Sequence, residues 1–271
     1  MQESSINIST DQLFTYCLHL ADNSLIMGHR LSEWTGHGPM LEQDIAISNI
    51  ALDMIGQSRN FYQYAAQISN TSKEARGGDG SGEATEDTLA YLRDAREFRN
   101  LLITEIPNGD WAKTMLKLFL FSAYQFYFYR ELAGSSDKQL AAIAEKSLKE
   151  VTYHVRWSSE WVIRLGDGTE ESNRRIKMAL EDLWPFTGEM FEPAEFENIN
   201  AEKRMGVTVS NIKNDWLTKV KEVFMEAMLS CPEENKTWMQ TGGKNGMHSE
   251  HLGFILAEMQ FLQRAYPGCE W

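Results

Sequence analysis

Most of the chain carries apolar residues three and four positions apart, interrupted by short breaks rich in Gly, Pro, Ser and Asp. This is the pattern of helices joined by turns. Between Gln139 and Leu165 the residues Leu140, Ile143, Leu148, Val151, Val155, Val162 and Leu165 form the stripe of an amphipathic helix. His154 follows Val151 by three and leans to the same side. Glu150 stands one turn before His154. A first helix is predicted from Asp11 to about Trp34, ended by Gly36-His37-Gly38-Pro39. A second runs from Leu41 to Ile68. Its middle, Ile45 to Ile55, is apolar nearly all round and is expected at the centre of the fold, except for the polar row Asn49, Asp53 and Gln57.

Asn70 to Thr85 reads as an exposed, mobile loop (about 70–85), and Glu86 to Glu105 as one strongly charged helix. Asp110 suits the N-cap of an aromatic-rich helix, Trp111 to Ala133, whose polar residues Ser122, Gln125 and Tyr129 share a side. Gly166-Asp167-Gly168 ends the Gln139 helix, and Thr169 caps the next, which reaches Trp184. An irregular excursion, about 185–213, carries Phe186, Met190, Phe191 and Phe196 and is expected to pack across the bundle. Helices Asn214–Leu229 and His248–Ala265 complete the chain. The pattern holds no strand and no repeat, so the expected fold is an all-α bundle with extra helices, in a single domain 1–271.

The 271 residues are enough for a large core. A formal net charge of -13 opposes bulk attraction to nucleic acid or an anionic membrane. Cys17, Cys231 and Cys269 are far apart and lack metal-ligand spacing, which suits reduced thiols in a cytoplasm. The polar N-terminus lacks a signal pattern. Leu116 to Tyr129 is interrupted by Lys117, Ser122 and Gln125, too short and too polar to span a bilayer.

The candidate chemistry is sparse. Glu150 and His154 could serve a metal, or form a satisfied core pair. Asn49, Asp53 and Gln57, like Ser122, Gln125 and Tyr129, suit a buried hydrogen-bond network better than a ligand row, since amides are poor ligands for ferrous iron or zinc. His29, Arg30 and Glu33 fit a charged helix end; Glu42 and Asp44 fit a helix start; His248, Glu250 and His251 fit a solvated one. Arg93, Arg96 and Arg99, beside Asp94 and Glu97, read as a surface ion network, with a phosphate clamp as the alternative. No Gly-rich phosphate loop, Gly-x-Ser-x-Gly elbow or Cys-x-x-Cys occurs.

Several phrases carry a family resemblance: Leu20-Ala21-Asp22 through Trp34, Leu52-Asp53-Met54-Ile55-Gly56-Gln57, Tyr91-Leu92-Arg93-Asp94, Arg99-Asn100-Leu101-Leu102 with Pro107-Asn108-Gly109-Asp110, Ser158 through Glu170, and Ala257-Glu258-Met259-Gln260 through Pro267-Gly268. Nearly end to end, the chain resembles the C-subunit family of bacterial phenylacetyl-CoA epoxidases (PaaC).

The resemblance implies a ferritin-like bundle within a soluble multicomponent monooxygenase that makes a ring 1,2-epoxide of phenylacetyl-CoA with dioxygen. It implies direct pairing with a related A subunit that carries the di-iron site and the substrate. A small B subunit bridges such pairs, and a reductase with FAD and an iron–sulfur centre supplies electrons from NADPH. Two Glu-x-x-His ligand motifs are expected in the A subunit; this chain has Met54 and Gln57 for one, Val151 and His154 for the other. The remaining carboxylate positions fall near His29 and Ser122. The resemblance therefore implies a vestigial di-iron site, no cofactor and no catalytic or substrate-binding residue in this subunit, and a structural role. The alternative is an independent metalloenzyme using Glu150 and His154 with Asp53 or Asp44. A further reading is a binder of the CoA thioester through Arg93 and Arg96.

Overall fold

The computed structural model describes residues 2–75, 82–232 and 237–269, with side chains from residue 10 onward and outside 73–75. Two long helices open the chain, α1 (Gln2–Ser32) and α2 (Leu41–Ala75), packed along most of their length. After α3 (Glu86–Tyr91) and the single turn α4 (Leu102–Glu105) comes the second long pair, α5 (Trp111–Leu132) and α6 (Lys138–Gly166). Among the described residues there is no strand, and the four long helices form the ferritin-like bundle. Of the remaining helices, α7 (Glu170–Leu183) and α9 (Lys213–Glu226) cover the α5–α6 pair, and α8 (Glu195–Glu202) covers α1. α10 (Glu250–Met259) packs on α4 and runs on into α11 (Phe261–Ala265). No described helix is long and apolar enough to cross a membrane.

Local chemistry sets the ends. In the turn between α1 and α2, Gly36 adopts φ 80° and the Gly38 N–H donates to Asp44 Oδ2 at 2.9 Å. That bond and the neighbouring backbone N–H groups hold the Asp44 carboxyl below its usual range. Asp110 caps α5, accepting from the Lys113 N–H at 2.9 Å. Asp137 Oδ1 caps α6, accepting from the N–H groups of Gln139 (2.9 Å) and Leu140 (3.0 Å). Thr169 and Ser172 form a reciprocal capping box on α7.

Several element expectations need correction. The charged segment 86–105 is not one helix. Its backbone N–H groups turn to buried acceptors on other elements: Arg99 N donates to Asp22 Oδ2 (2.7 Å), Leu101 N to Asn23 Oδ1 (2.7 Å) and Leu102 N to Glu189 Oε2 (2.8 Å). Three fixed acceptors outcompete the intrahelical ladder, and the segment crosses α1 in an extended form.

Helix α2 runs past Ile68 to Ala75, and Asn70 closes the far side of the loop by reciprocal 2.9 Å bonds with the backbone of Ala84. The rest of the expected mobile loop, 76–81, lies outside the described residues. The excursion after Trp184 contains two short 3-10 turns and α8, and it does pack across the bundle: Phe191 lies 5.0 Å from Trp216 and 5.8 Å from Tyr124. Finally, the stretch Ile45–Ile55 is not enclosed. Leu41 is 71% exposed and Leu52 68%, with Met40 and Ile45 also exposed.

Candidate functional site

Helices α2 and α6 run antiparallel, and two polar pairs join them. Gln57 Nε2 donates to Glu150 Oε2 at 3.0 Å, and His154 Nε2 lies 3.0 Å from Asp53 Oδ2. With the carboxylate as acceptor, the His154 proton sits on Nε2. From Gln57 the chain of bonds crosses the bundle. Tyr129 OH donates to Gln57 Oε1 (3.3 Å), and Gln125 Nε2 reaches Tyr129 OH (3.3 Å) and Ser24 Oγ on α1 (3.4 Å). Burial pushes the Tyr129 phenol up to about 12, so it remains a donor at neutral pH. All four long helices thus meet in one polar layer inside an aromatic core, with Phe61 stacked 6.1 Å from Tyr129.

The positions expected to mark a lost metal centre divide. Met54, Val151, Ser122 and His154 are fully buried, and Gln57 is nearly so. His29 does not join them. It lies in a groove against Ile255, Glu258 and Met259, beside Glu33, where burial holds its imidazole below the usual range. The α1 residue that enters the layer is Ser24, more than a turn earlier. Gly28, which faces α2, lets Ile55 and the Ala51 carbonyl close in where a ligand side chain would need room. No sequence signal singles out Ser24, one polar residue among the apolar positions of α1.

The residues present do not fit a di-iron group. Such a centre needs several carboxylates to bridge and to offset charge, whereas the buried positions expected for ligands, Met54, Gln57, Ser122, Val151 and His154, hold a thioether, an amide, a hydroxyl, an aliphatic chain and one imidazole. Glu150 and Asp53, the two carboxylates in reach, are already held by Gln57 and His154. Among the described residues no group of three or more His, Cys, Asp and Glu is placed to hold a metal ion. The alternative set Glu150, His154 and Asp53 is divided between the two pairs, and Asp44 caps a turn far along α2. Ser122 Oγ and His154 Nδ1 are buried with no protein partner.

Other sequence candidates resolve as architecture. Arg93 is not on a surface: it is buried against Asp22, with Nη2 2.9 Å from Tyr62 OH and its guanidinium carbon 4.2 Å from the centre of the Phe98 ring. It is therefore not available as a contact for a CoA phosphate. Arg96 is exposed, and Arg99 bonds the carbonyls of Arg96 and Phe98. The His248 side chain is buried between Phe98 O (3.0 Å) and Glu105 Oε2 (3.5 Å), not paired with His251 for a metal. A second buried network had no sequence signal beyond scattered polar residues. Lys244 Nζ lies 2.7 Å from Glu197 Oε2, and Glu197 Oε1 faces His19 Nε2 at 3.7 Å. Burial lowers the His19 imidazole, whose Nδ1–H donates to Arg99 O at 2.6 Å.

Outside the layer, α2 presents Leu41, Ile45, Leu52 and Gly56 to one side at helical spacing. A Cβ at Gly56 would meet nothing within 4 Å. The register set by Asp53–His154 and Gln57–Glu150 brings Trp157 and Trp161 of α6 alongside the first half of α2. These two pack edge-on against Trp111 at 6.0 and 5.5 Å, and Trp34 joins at 5.1 Å. An apolar stripe beside half-buried tryptophans has the chemistry of a protein interface.

The phenylacetic acid catabolic protein family matches the chain over residues 1–271. The C subunit of 1,2-phenylacetyl-CoA epoxidase from Escherichia coli (strain K12) is 43% identical over 261 residues, covering 96% of this chain and 100% of that protein. A match along the full length of this helical bundle shows that the chain belongs to the phenylacetic acid catabolic protein family.

Proposed function

We propose that this chain is a non-catalytic structural subunit of a phenylacetyl-CoA 1,2-epoxidase in phenylacetate degradation, pairing directly with the di-iron A subunit in the cytoplasm. The observation that carries the reading is the polar layer. Where a metal-binding bundle would converge carboxylates, this chain pairs Gln57 with Glu150 and His154 with Asp53 and fills the rest with neutral groups. Hydrogen bonds hold the helices together there without a metal. The similarity to the C subunit of the Escherichia coli epoxidase supports the complex and the substrate class. Iron, dioxygen chemistry and the NADPH-fed reductase with its FAD and iron–sulfur centre belong in this reading to partner chains, and a B subunit bridges the pairs. The α2 stripe, with its exposed Leu41 and Leu52, is the surface that meets the A subunit.

The test measures iron in the purified chain, expressed alone with iron supplied and again with its A subunit. The expected result is iron near zero alone and iron in the complex. One or two irons bound tightly by the isolated chain would overturn the reading and make Glu150 and His154 the residues to mutate. Leu52→Glu should leave the helical spectrum and melting of the free chain nearly unchanged while the A subunit no longer co-purifies; retained pairing would move the interface elsewhere.

A further inference from the structure

Helices α10 and α11 carry a second apolar face that the bundle does not use. Gln260 keeps helical dihedrals between them, and the Arg264 N–H donates to Gln260 O at 3.1 Å, so the two run on with little interruption. At 3.6 residues per turn, Glu250, Gly253, Phe254, Ala257, Phe261 and Arg264 fall within an arc of about 100°. All six are exposed, Phe254 by 67% and Phe261 by 62%, while Leu252, Ile255, Leu256 and Met259 face inward.

Gly253 is the informative position. A glycine inside an exposed helix costs about 1 kcal/mol relative to alanine. A Cβ there would meet nothing within 4 Å, so the chain's own packing does not require its absence. The missing side chain leaves open space on the exposed face of the helix. Beside it, Ala257 and Phe261 line a shallow groove closed on the other flank by Asp94 and Ala95.

The order of these residues is self-complementary. Laid antiparallel on a copy of itself about Ala257, the helix sets Phe261 of each copy against Gly253 of the other, a large side chain into the space left by a missing one. The same register sets Glu250 against Arg264, opposite charges at both ends, and alanine against alanine on the axis. An isologous interface demands this relation, in which residue i meets j while j meets i. Arg264 Nη2 already bonds Asp94 Oδ1 at 3.0 Å and Arg93 O at 2.9 Å, which holds the guanidinium in place at the groove edge.

We propose that the α10–α11 face docks a second copy of this chain, antiparallel about a two-fold axis at Ala257. The face lies on different helices from the α2 stripe. It therefore gives a subunit with one face for the A subunit and another for itself, and it stands whether or not the α2 assignment holds.

The test uses the full chain with Cys269→Ser, alone and co-purified with the A subunit. In that background Ala257→Cys should form a disulfide-linked dimer under mild oxidation, seen on a non-reducing gel, while Glu145→Cys, on α6, should not. Sedimentation should show a concentration-dependent dimer that Phe261→Asp weakens by roughly tenfold or more. Glu250→Arg should weaken it also, with Arg264→Glu in the same chain restoring it at low salt. Cross-linking at position 257 no faster than at 145, or a dimer indifferent to Phe261→Asp, would overturn the proposal. So would protection of the thiol introduced at position 257 by the A subunit without self-cross-linking, since the occupant would then be a different chain. Loss of A-subunit pairing with the dimer intact would count against the proposed function alone.

Discussion

Lys117 sits in the middle of α5 with no exposed surface, and its ammonium meets only neutral acceptors, Ile106 O at 2.6 Å and Asn108 Oδ1 at 3.0 Å. Burial first, then the nearby Arg30 charge, pushes its pKa down to about 7. The unfolded chain holds this proton up to the ordinary lysine value, about 10.4. Between those two limits the unfolded state binds more protons than the folded one, so stability rises with pH across that window, and the penalty is fully present below it. Urea unfolding of wild type and Lys117→Met at several pH values between about 7 and 10 should show the wild type gaining on the variant as pH rises. A constant difference would mean that the amine stays charged across this window in the folded state, with an ordinary lysine pKa. The geometry around the amine explains its placement. Asn108 Nδ2 reaches back to the Arg30 carbonyl and to Glu33 Oε2 (2.9 Å), and Arg30 Nη2 donates to Glu105 O (2.8 Å), so one knot ties the end of α1 to the turn before α5. No periodicity announces such a knot, because each member is a single polar residue in a different segment.

Helix α2 shows how far pattern alone reaches. Its apolar middle implies burial on all sides, and the burial is real on the side of α1 and the core, where Ile47, Ile50 and Met54 are enclosed. The other side is the exposed stripe through Leu41, Ile45 and Leu52, an apolar surface that the chain itself leaves uncovered. Gly56 continues the stripe and separates the two states. In the free chain Gly56→Ala should raise helix stability by about 1 kcal/mol, read as a small increase in melting temperature. Under the proposed pairing, affinity for the A subunit should fall at the same time, because the added methyl stands on the face assigned to that partner. A rise in stability with unchanged affinity would place the contact elsewhere on the bundle. The α6–α9 crossing is the opposite case. A Cβ at Gly166 would collide with the Ala227 carbonyl, so that glycine serves the fold itself.

The whole molecule is held at one end by charges that only the tertiary structure brings together. The segment after Gly242 lies across residues 98–105. Glu189 Oε1 accepts from the Gly242 N–H (2.8 Å) and Glu189 Oε2 from the Leu102 N–H (2.8 Å). Glu105 Oε1 accepts from the Ser249 N–H (3.0 Å), and Lys244 answers Glu197. Lys244→Met would leave the Glu197 carboxylate buried without its cation, and the expected cost is about 3–5 kcal/mol. Hydrogen exchange should then rise first in 98–105 and 242–249. Uniform loosening of all four long helices would show that the clasp does not act locally. This clasp also carries α10 and α11 into place, so the proposed self-docking face depends on it.

Helix positions, the aromatic core and the N-caps follow from residue spacing and side-chain chemistry, which are local and need no partner. That is why the four long helices, the caps Asp110 and Thr169, and the inward lean of His154 were legible in the chain. Other features depend on which groups from distant segments meet. Those include the break of 86–105 over Asp22, Asn23 and Glu189, the entry of Ser24 rather than His29 into the polar layer, and the burial of Arg93 and Lys244. Also among them is the exposure of Leu52 on a stripe that looks like core. The energy of a buried charge or a bound backbone N–H depends on its partner, and only the folded chain decides which partner that is.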